Sequence, residues 1–255
     1  MNERQRQILD IIQTEGFMSV QDLCGRIFAS PATIRRDLNV LAENNSIHRI
    51  FGGAVPISGN DQEVPYNIRL YRSNLEKSAI AQTAVKFIKN ASTIILDSST
   101  TCMYLARLLD NFENLSVLTN GTDSLSVLTH VPKVKTIATG GIVAKGYEFR
   151  GALTRHSIER YNADLFFLSC CSISTENGVS YTDEENASIK QLMAKRAKKK
   201  IMLCDSSKFD QASFFCAFSL DEFDYFVCDT APQNPALREA MGDRLICADG
   251  THLQK

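Results

Sequence analysis

No stretch of this 255-residue chain stays apolar long enough to approach a membrane span. No targeting leader is visible at Met1-Asn2-Glu3-Arg4, so a cytoplasmic protein with no membrane partner is expected. The eight cysteines form no C-x-x-C pair; Cys170 and Cys171 are adjacent and the others are scattered. That spacing argues against a zinc site and suits thiols in a reducing compartment better than a disulfide scaffold. Neither a metal nor a cofactor is expected. An excess of one charge is missing too. Formal net charge is −1, so no global basic field announces a polyanionic partner. The segment 1–56 holds six Arg, six Asp or Glu and no Lys. What remains is ordinary globular composition, 44% hydrophobic and 22% charged, enough for one large domain and one small one.

Within that neutral N-terminal segment the cations are placed unevenly. Ser30-Pro31 opens a helical pattern, with Ser30 suited to the N-cap and Pro31 to the first helical position. Ile34, Leu38 and Leu41 fall on one side at i, i+4 and i+7. Ala32, Thr33, Arg35, Arg36 and Asn39 fall on the other. A helix with small and cationic residues outward can lie in a DNA major groove, where Arg bonds guanine edges or phosphates and a methyl group touches thymine. An ordinary surface helix with two arginines is the plainer alternative. The surroundings favour DNA. Glu3 to Thr14 carry Ile8, Leu9, Ile11 and Ile12 in helical register, and Ser19 with Asp22 opens a second helix that buries Leu23 and Ile27. The third helix follows within a few residues, as in a helix-turn-helix. Ser46 to Ile50 predicts a strand and Gly52-Gly53 a turn, which together make a wing carrying His48 and Arg49.

Val55 to about Asn74, with two Pro, Gly59, Asn60 and Asp61, predicts a linker passing into a polar helix near Tyr66 to Ser73. Beyond it short apolar runs alternate with helical segments. The runs are Thr93–Leu96, Ser116–Leu118, Val134–Ala138, Leu165–Leu168, Ile201–Leu203, Tyr225–Val227 and Leu245–Cys247. Helices are expected at Lys77–Lys89, Thr101–Leu109, Asp123–Thr129, Glu185–Lys198 and Ala236–Met241. Such alternation predicts an α/β domain with a largely parallel sheet, whose ligands bind beyond the carboxyl ends of the strands.

The segments after those runs carry suitable chemistry. Asp97-Ser98-Ser99-Thr100-Thr101 leads from a strand into a helix, where hydroxyls and backbone N–H groups can cradle an anion. Thr119-Asn120-Gly121, Thr139-Gly140-Gly141 and Asp205-Ser206-Ser207-Lys208 follow three other runs. The glycines allow close approach of a ligand, and Lys208 offers a point charge to a phosphate. Each segment alone would pass for turn and cap residues; four at one sheet end point to a site. Other features carry plainer readings. Ala194-Lys195-Arg196-Ala197-Lys198-Lys199-Lys200 is expected to end a helix, where cations suit the dipole. Phe214, Phe215, Phe218 and Phe223 are expected in the core or a subunit interface. Cys102, at a helix start that favours thiolate, is either a redox thiol or a packed one.

Thr33-Ile34-Arg35-Arg36-Asp37-Leu38 together with Arg49-Ile50-Phe51-Gly52-Gly53-Ala54 resembles the N-terminal signature of the DeoR family of bacterial transcription regulators. The loops of the larger segment resemble that family's sensor domain, itself related to sugar-phosphate isomerases. The matching residues run in order from Asp97 through Gly151, Ala163-Asp164, Gly178, Asp183-Glu184-Glu185 and Lys190 to Asp205-Ser206-Ser207-Lys208-Phe209. The resemblance implies a winged helix-turn-helix over 1–56, a linker over 57–75 and a sugar-phosphate sensor over 76–255. It implies a double-stranded DNA operator contacted by Ser30, Ala32, Thr33, Arg35, Arg36, Asn39, His48 and Arg49. It implies a phosphorylated sugar held by Asp97, Ser98, Ser99, Thr100, Thr101, Thr119, Asn120, Gly140, Gly141, Glu185 and Lys208. The implied assembly is a homodimer or homotetramer, and the implied regulator a repressor released by its ligand. Ser99 stands where most of the family has Gly; the run it opens looks closer to regulators of deoxysugar use such as the fucose-operon activator, which leaves activation open. Ser169-Cys170-Cys171-Ser172 lacks the acid that the related isomerases and deaminases carry, so no catalysis is expected. Two alternatives stand: an isomerase or deaminase with an appended DNA-binding head, and a DNA-binding oligomer whose larger domain only assembles subunits.

Overall fold

The computed structural model describes residues 1–44, 46–50, 52–56, 66–144 and 147–248, which form two compact units, Met1–Arg72 and Ser73–Lys255. The first contains α1 (Glu3–Glu15), β1 (Met18–Ser19), α2 (Val20–Ile27), α3 (Pro31–Glu43), β2 (Ile47–Ile50), β3 (Gly53–Pro56) and α4 (Tyr66–Tyr71). Each of the first three helices starts on its capping residue. The Asn2 side chain accepts from Gln5 N and Gln5 answers it, Ser19 accepts from Asp22 N, and Ser30 accepts from Thr33 N with Pro31 in the first turn. Ile8, Ile12, Leu23, Ile34, Leu38 and Leu41 then meet in one core. Strands in the order β1-β3-β2 form the antiparallel wing. Asp37, beside the two arginines of α3, points inward and ties α3 to α1. It accepts hydrogen bonds from Arg4 Nε (2.5 Å) and Gln5 Nε2 (3.1 Å).

In the second unit the elements run α5 (Asn74–Ala84), β4 (Thr93–Leu96), α6 (Thr100–Ala106), β5 (Leu115–Thr119), α7 (Thr122–Leu128), β6 (Val134–Ala138), β7 (Ile142–Ala144), β8 (Glu148–Arg150), α8 (Ala152–Glu159) and β9 (Ala163–Leu168). They continue as β10 (Ser172–Ser174), β11 (Gly178–Tyr181), α9 (Glu184–Lys195), β12 (Ala197–Cys204), β13 (Phe215–Phe218), β14 (Tyr225–Cys228), α10 (Pro235–Met241) and β15 (Leu245–Cys247). Seven strands form a parallel sheet in the order β15-β14-β12-β9-β4-β5-β6. The chain therefore runs outward from β4 to β6, returns to β9 beside β4, and runs outward the other way. Open sheets of this kind bind ligands where the strand order reverses, here beyond the carboxyl ends of β4 and β9. Apolar side chains cover both faces, in one cluster around Phe166, Met202 and Phe226 and another around Ile94, Phe167 and Leu203.

All seven apolar runs become strands of this sheet, but the elements depart from expectation in two places. Only the start of the run 194–200 ends a helix: α9 stops at Lys195, and Ala197–Lys200 already belong to β12. There Lys198 Nζ pairs with Asp164 (2.8 Å) and Lys199 Nζ lies 5.5 Å from the centre of the Tyr225 ring. Backbone pairing to β9 outweighs the helical preference of the lysines. Helix α8, the β7-β8 hairpin and the small sheet β10-β11-β13 lie in segments where no element was expected. Phe218 and Phe223 are buried, whereas Phe214 is exposed. Cys102 is a packed thiol that donates to Phe167 O at 3.3 Å, and burial pushes its pKa up, not down. The segment 57–65, Phe51 and the side chain of His48 lie outside the described residues.

Candidate functional sites

The DNA-facing candidates come from α3 and the wing. Ser30, Ala32, Arg35, Arg36 and Asn39 are exposed. Thr33 is half-buried with its hydroxyl 2.9 Å from that of Ser30, so its methyl group is what remains for a base edge. Arg49 on β2 is partly buried, and its Nη1 has no hydrogen-bond partner among the described residues. Burial, and then the nearby Arg35 cation, lower the Arg49 pKa. Two guanidinium groups brought together with a donor left unpaired are costly in isolation. A phosphate oxygen would satisfy the donor and neutralise the pair.

The second site is built around Ser169, just past β9. Its N–H donates to Asp97 Oδ2 (2.9 Å), and its carbonyl accepts from Lys190 Nζ (2.9 Å) and Tyr181 Oη (3.0 Å). Its hydroxyl accepts from Lys208 Nζ (2.8 Å) and donates to Leu203 O (2.6 Å). Asp97, just past β4, is fully buried and also accepts from Ser99 N (2.8 Å) and Lys190 Nζ (2.7 Å). Burial alone would raise its pKa; the Lys190 ammonium and the hydrogen bonds from Ser99 and Ser169 outweigh that and hold the carboxyl below its ordinary range. Lys208 lies 3.4 Å from Asp205 Oδ2. Burial disfavours its charge, but Asp205 more than compensates and its pKa is raised. Asp97, Ser169 and Lys208 thus bridge the strand-order reversal.

The neighbouring loops approach the same end. Ser99 caps α6 by accepting from Cys102 N, and Thr100 and Thr101 are buried in its first turn. Thr119 Oγ1 accepts from Gly121 N (3.0 Å) and Asn120 Nδ2 donates to Phe149 O (3.4 Å). A Cβ on Gly121 would sit 2.9 Å from Ser98 Cα, so only glycine lets the β4 and β5 loops close on each other. Gly141 has φ +123°, and a Cβ there would fall 2.2 Å from Thr154 Oγ1. Gly140 O accepts from Thr154 Oγ1 (2.6 Å), which anchors α8 below that loop. Among the described residues, Thr101 Oγ1, Asn120 Oδ1 and Thr139 Oγ1 are buried without partners. Unpartnered buried polar atoms are uncommon, and these three lie just past the ends of β4, β5 and β6.

Glu185 stands apart, exposed on the first turn of α9. Its neighbours do the connecting. Asp183 caps α9 and takes Arg150 Nη1 at 2.7 Å, and Asn186 Nδ2 donates to Glu148 Oε2 at 2.5 Å. Glu148 also accepts from Ser98 Oγ (2.6 Å) and from Arg150. Glu148, Arg150 and Asn186 were not expected in the site. They sit in or face a short hairpin whose sequence gives no periodic signal. The carboxylates here are each held by a cation: Asp97 by Lys190, Asp205 by Lys208, Glu148 and Asp183 by Arg150. A carboxylate committed to a cation in this way is a poor general base. No group of three or more His, Cys, Asp or Glu is placed to hold a metal ion, and no helix is long and apolar enough to cross a membrane, among the described residues.

Comparison with known proteins agrees with this division. The DeoR-like helix-turn-helix domain matches residues 4–59, and the DeoR C-terminal sensor domain matches residues 72–230. The chain is 34% identical to the HTH-type transcriptional regulator YulB of Bacillus subtilis over 254 residues, 99% of this chain and 98% of the other. It is 33% identical to the L-fucose operon activator of Haemophilus influenzae over 236 residues, 92% and 94% of the two chains. Among solved structures, ribose 5-phosphate isomerase A of Methanocaldococcus jannaschii is similar over 54% of this chain and 55% of its own. The identity there is 14% and the TM-score 0.41, a likeness too loose to bear on chemistry.

Proposed function

The chain belongs to the DeoR family of helix-turn-helix transcription regulators, and from that premise we propose that it controls a carbohydrate-use operon in response to a phosphorylated sugar. The sugar binds beyond the carboxyl ends of β4, β5, β6 and β9. Lys208 and Ser98 meet the phosphate, and Asn120, Thr101 and Thr139 meet the hydroxyls. The observation that carries this reading is a half-buried ammonium past the end of β12 together with three buried side-chain oxygens past the ends of β4, β5 and β6 that have no partner among the described residues. Asp97 positions the loops through Ser169 and does not itself touch the ligand.

The first unit reads the operator through Ala32, Thr33, Arg35, Arg36 and Asn39 in the major groove. Ser30, His48 and Arg49 contact the backbone at its edges. Two copies on a two-fold-symmetric site supply the affinity that a neutral domain cannot supply alone. The relatives include a putative aga operon transcriptional repressor as well as the fucose-operon activator. We infer repression relieved by the sugar, which requires the sugar to favour the state that binds DNA less well. Calorimetry with a panel of sugar phosphates tests the reading. One member should bind saturably to the wild type and at least tenfold more weakly to Lys208→Ala. Binding that ignores Lys208→Ala would place the phosphate elsewhere.

A further inference from the structure

Glu148 is a buried carboxylate that holds Ser98, a hydroxyl that the proposed effector pocket offers to a phosphate. It is 2% exposed. Its Oε2 accepts from Ser98 Oγ (2.6 Å) and Asn186 Nδ2 (2.5 Å), and Arg150 binds Oε1. It is carried on β8, whose backbone is stitched to the β5 loop. Phe149 N donates to Asn120 O (2.8 Å), Thr122 N donates to Tyr147 O (2.9 Å), and Gly121 bridges Glu148 directly. The donors that hold Glu148 belong to three separate segments: the β4 loop, α9 and β8 itself. A hydroxyl, an amide and a guanidinium arranged around two oxygens form the kind of donor set that also receives a phosphate.

Resting on the sugar-phosphate reading above, we propose that Glu148 is the resident anion of the pocket, and that a phosphorylated ligand binds by displacing it from Ser98. The two anions cannot share the site. A phosphate taking the Ser98 hydroxyl would lie within a few ångströms of the carboxylate, and like charges at that range in a partly buried site repel by roughly tenfold or more in affinity. Glu148 therefore sets a threshold. It lowers the affinity for small free anions, which bring only charge, and favours a ligand whose hydroxyls add contacts that offset its expulsion. Release of Glu148 also frees β8. The partner strand β7 exposes Ile142 and Val143, so occupancy of the pocket is read out on an apolar outer surface through one short hairpin.

The test uses the full-length protein and inorganic phosphate as the probe. Wild type, Glu148→Gln and Lys208→Ala are titrated by calorimetry at constant ionic strength. Gln keeps the shape and can still accept from Ser98, but it carries no charge. Glu148→Gln should bind phosphate at least tenfold more tightly than wild type, and adding Lys208→Ala to it should remove that binding. Equal or weaker binding by Glu148→Gln, with Lys208→Ala still losing phosphate, would overturn the role of Glu148 and leave the pocket standing. Phosphate binding indifferent to Lys208→Ala, or absent from every variant, would overturn the pocket itself and this proposal with it. A second measurement needs no variant. Under saturating phosphate, hydrogen exchange at the Phe149 amide of the wild type should accelerate, and unchanged protection there would also overturn the displacement.

Discussion

Replacing Lys190 with Met removes the ammonium that neutralises Asp97 while keeping most of the side-chain volume. In the wild type the two charged atoms are 2.7 Å apart, and both side chains are almost wholly buried. Lys190 Nζ also lies 4.6 Å from the centre of the Tyr181 ring. Breaking a buried pair from one side costs about 3–5 kcal/mol, because the remaining charge stays buried and unpaired. In a unit of this size each kcal/mol moves the melting temperature by about 2–4 °C, so a fall of roughly 6–20 °C is expected. The pH dependence identifies the cause. With Lys190 present, the Asp97 pKa is depressed. Its contribution to stability is present above the unfolded value of about 3.9 and is lost as the pH falls through the lower folded value. With Met there, burial dominates and the pKa is raised. The deficit should therefore be largest at neutral pH and shrink on acidification, as the proton neutralises Asp97. Asp97→Asn in the same chain should recover much of the loss. Denaturant unfolding of the three variants at several pH values is the assay. A deficit below 1 kcal/mol, or one that does not change with pH, would refute the buried-pair reasoning.

Arg36→Ala should weaken operator binding by about 1–3 kcal/mol per half-site, concentrated at one base position, with unchanged thermal stability; a uniform loss over all sequences would assign Arg36 to phosphate instead. Arg49→Ala should weaken binding to all sequences alike and reduce the slope of log affinity against log salt by about one. An unaltered slope would remove Arg49 from the interface. Incubation with a sugar phosphate that binds, in deuterated water, should place no solvent deuterium on the sugar carbons. General acid–base catalysis contributes about 10²–10⁴-fold, and Asp97, Asp205, Glu148 and Asp183 are each paired with a cation. Exchange proportional to protein concentration would restore the enzyme alternative.

Local signals carried the first unit almost entirely. Ser19, Ser30 and Pro31 mark helix starts by chemistry that acts over three residues, and Ile34, Leu38 and Leu41 mark the inward face by spacing alone. The parallel strands were legible for the same reason, since both their faces are buried and they read as unbroken apolar runs. The role of Asp37 was not legible, because its partners Arg4 and Gln5 lie more than thirty residues away. The proposed effector pocket was legible as four loops but not as a network. Ser169 attracted notice for the acid missing beside it, yet its role comes from Asp97, Lys190, Tyr181 and Lys208, which only the fold brings together. Glu148 left no trace at all. Its hairpin has strands of three residues, too short for alternation to register, and its carboxylate finds Ser98 and Asn186 across fifty and thirty-eight positions. The lysines of β12 misled because a cationic run near a helix end suits the dipole as well as it suits an exposed strand start.

Linkage between the two units is the claim on which the account turns. The direct measurement is fluorescence anisotropy of an operator fragment, selected by the protein from genomic DNA, titrated with wild type and with Lys208→Ala in the absence and presence of the sugar phosphate identified by calorimetry. Both proteins should bind the fragment with the same affinity when the sugar is absent. Saturating sugar should weaken the wild-type complex by at least tenfold, a coupling of about 1.4 kcal/mol, and leave the Lys208→Ala complex unchanged. A wild-type affinity that does not move with bound sugar, or an equal response in Lys208→Ala, would contradict the account.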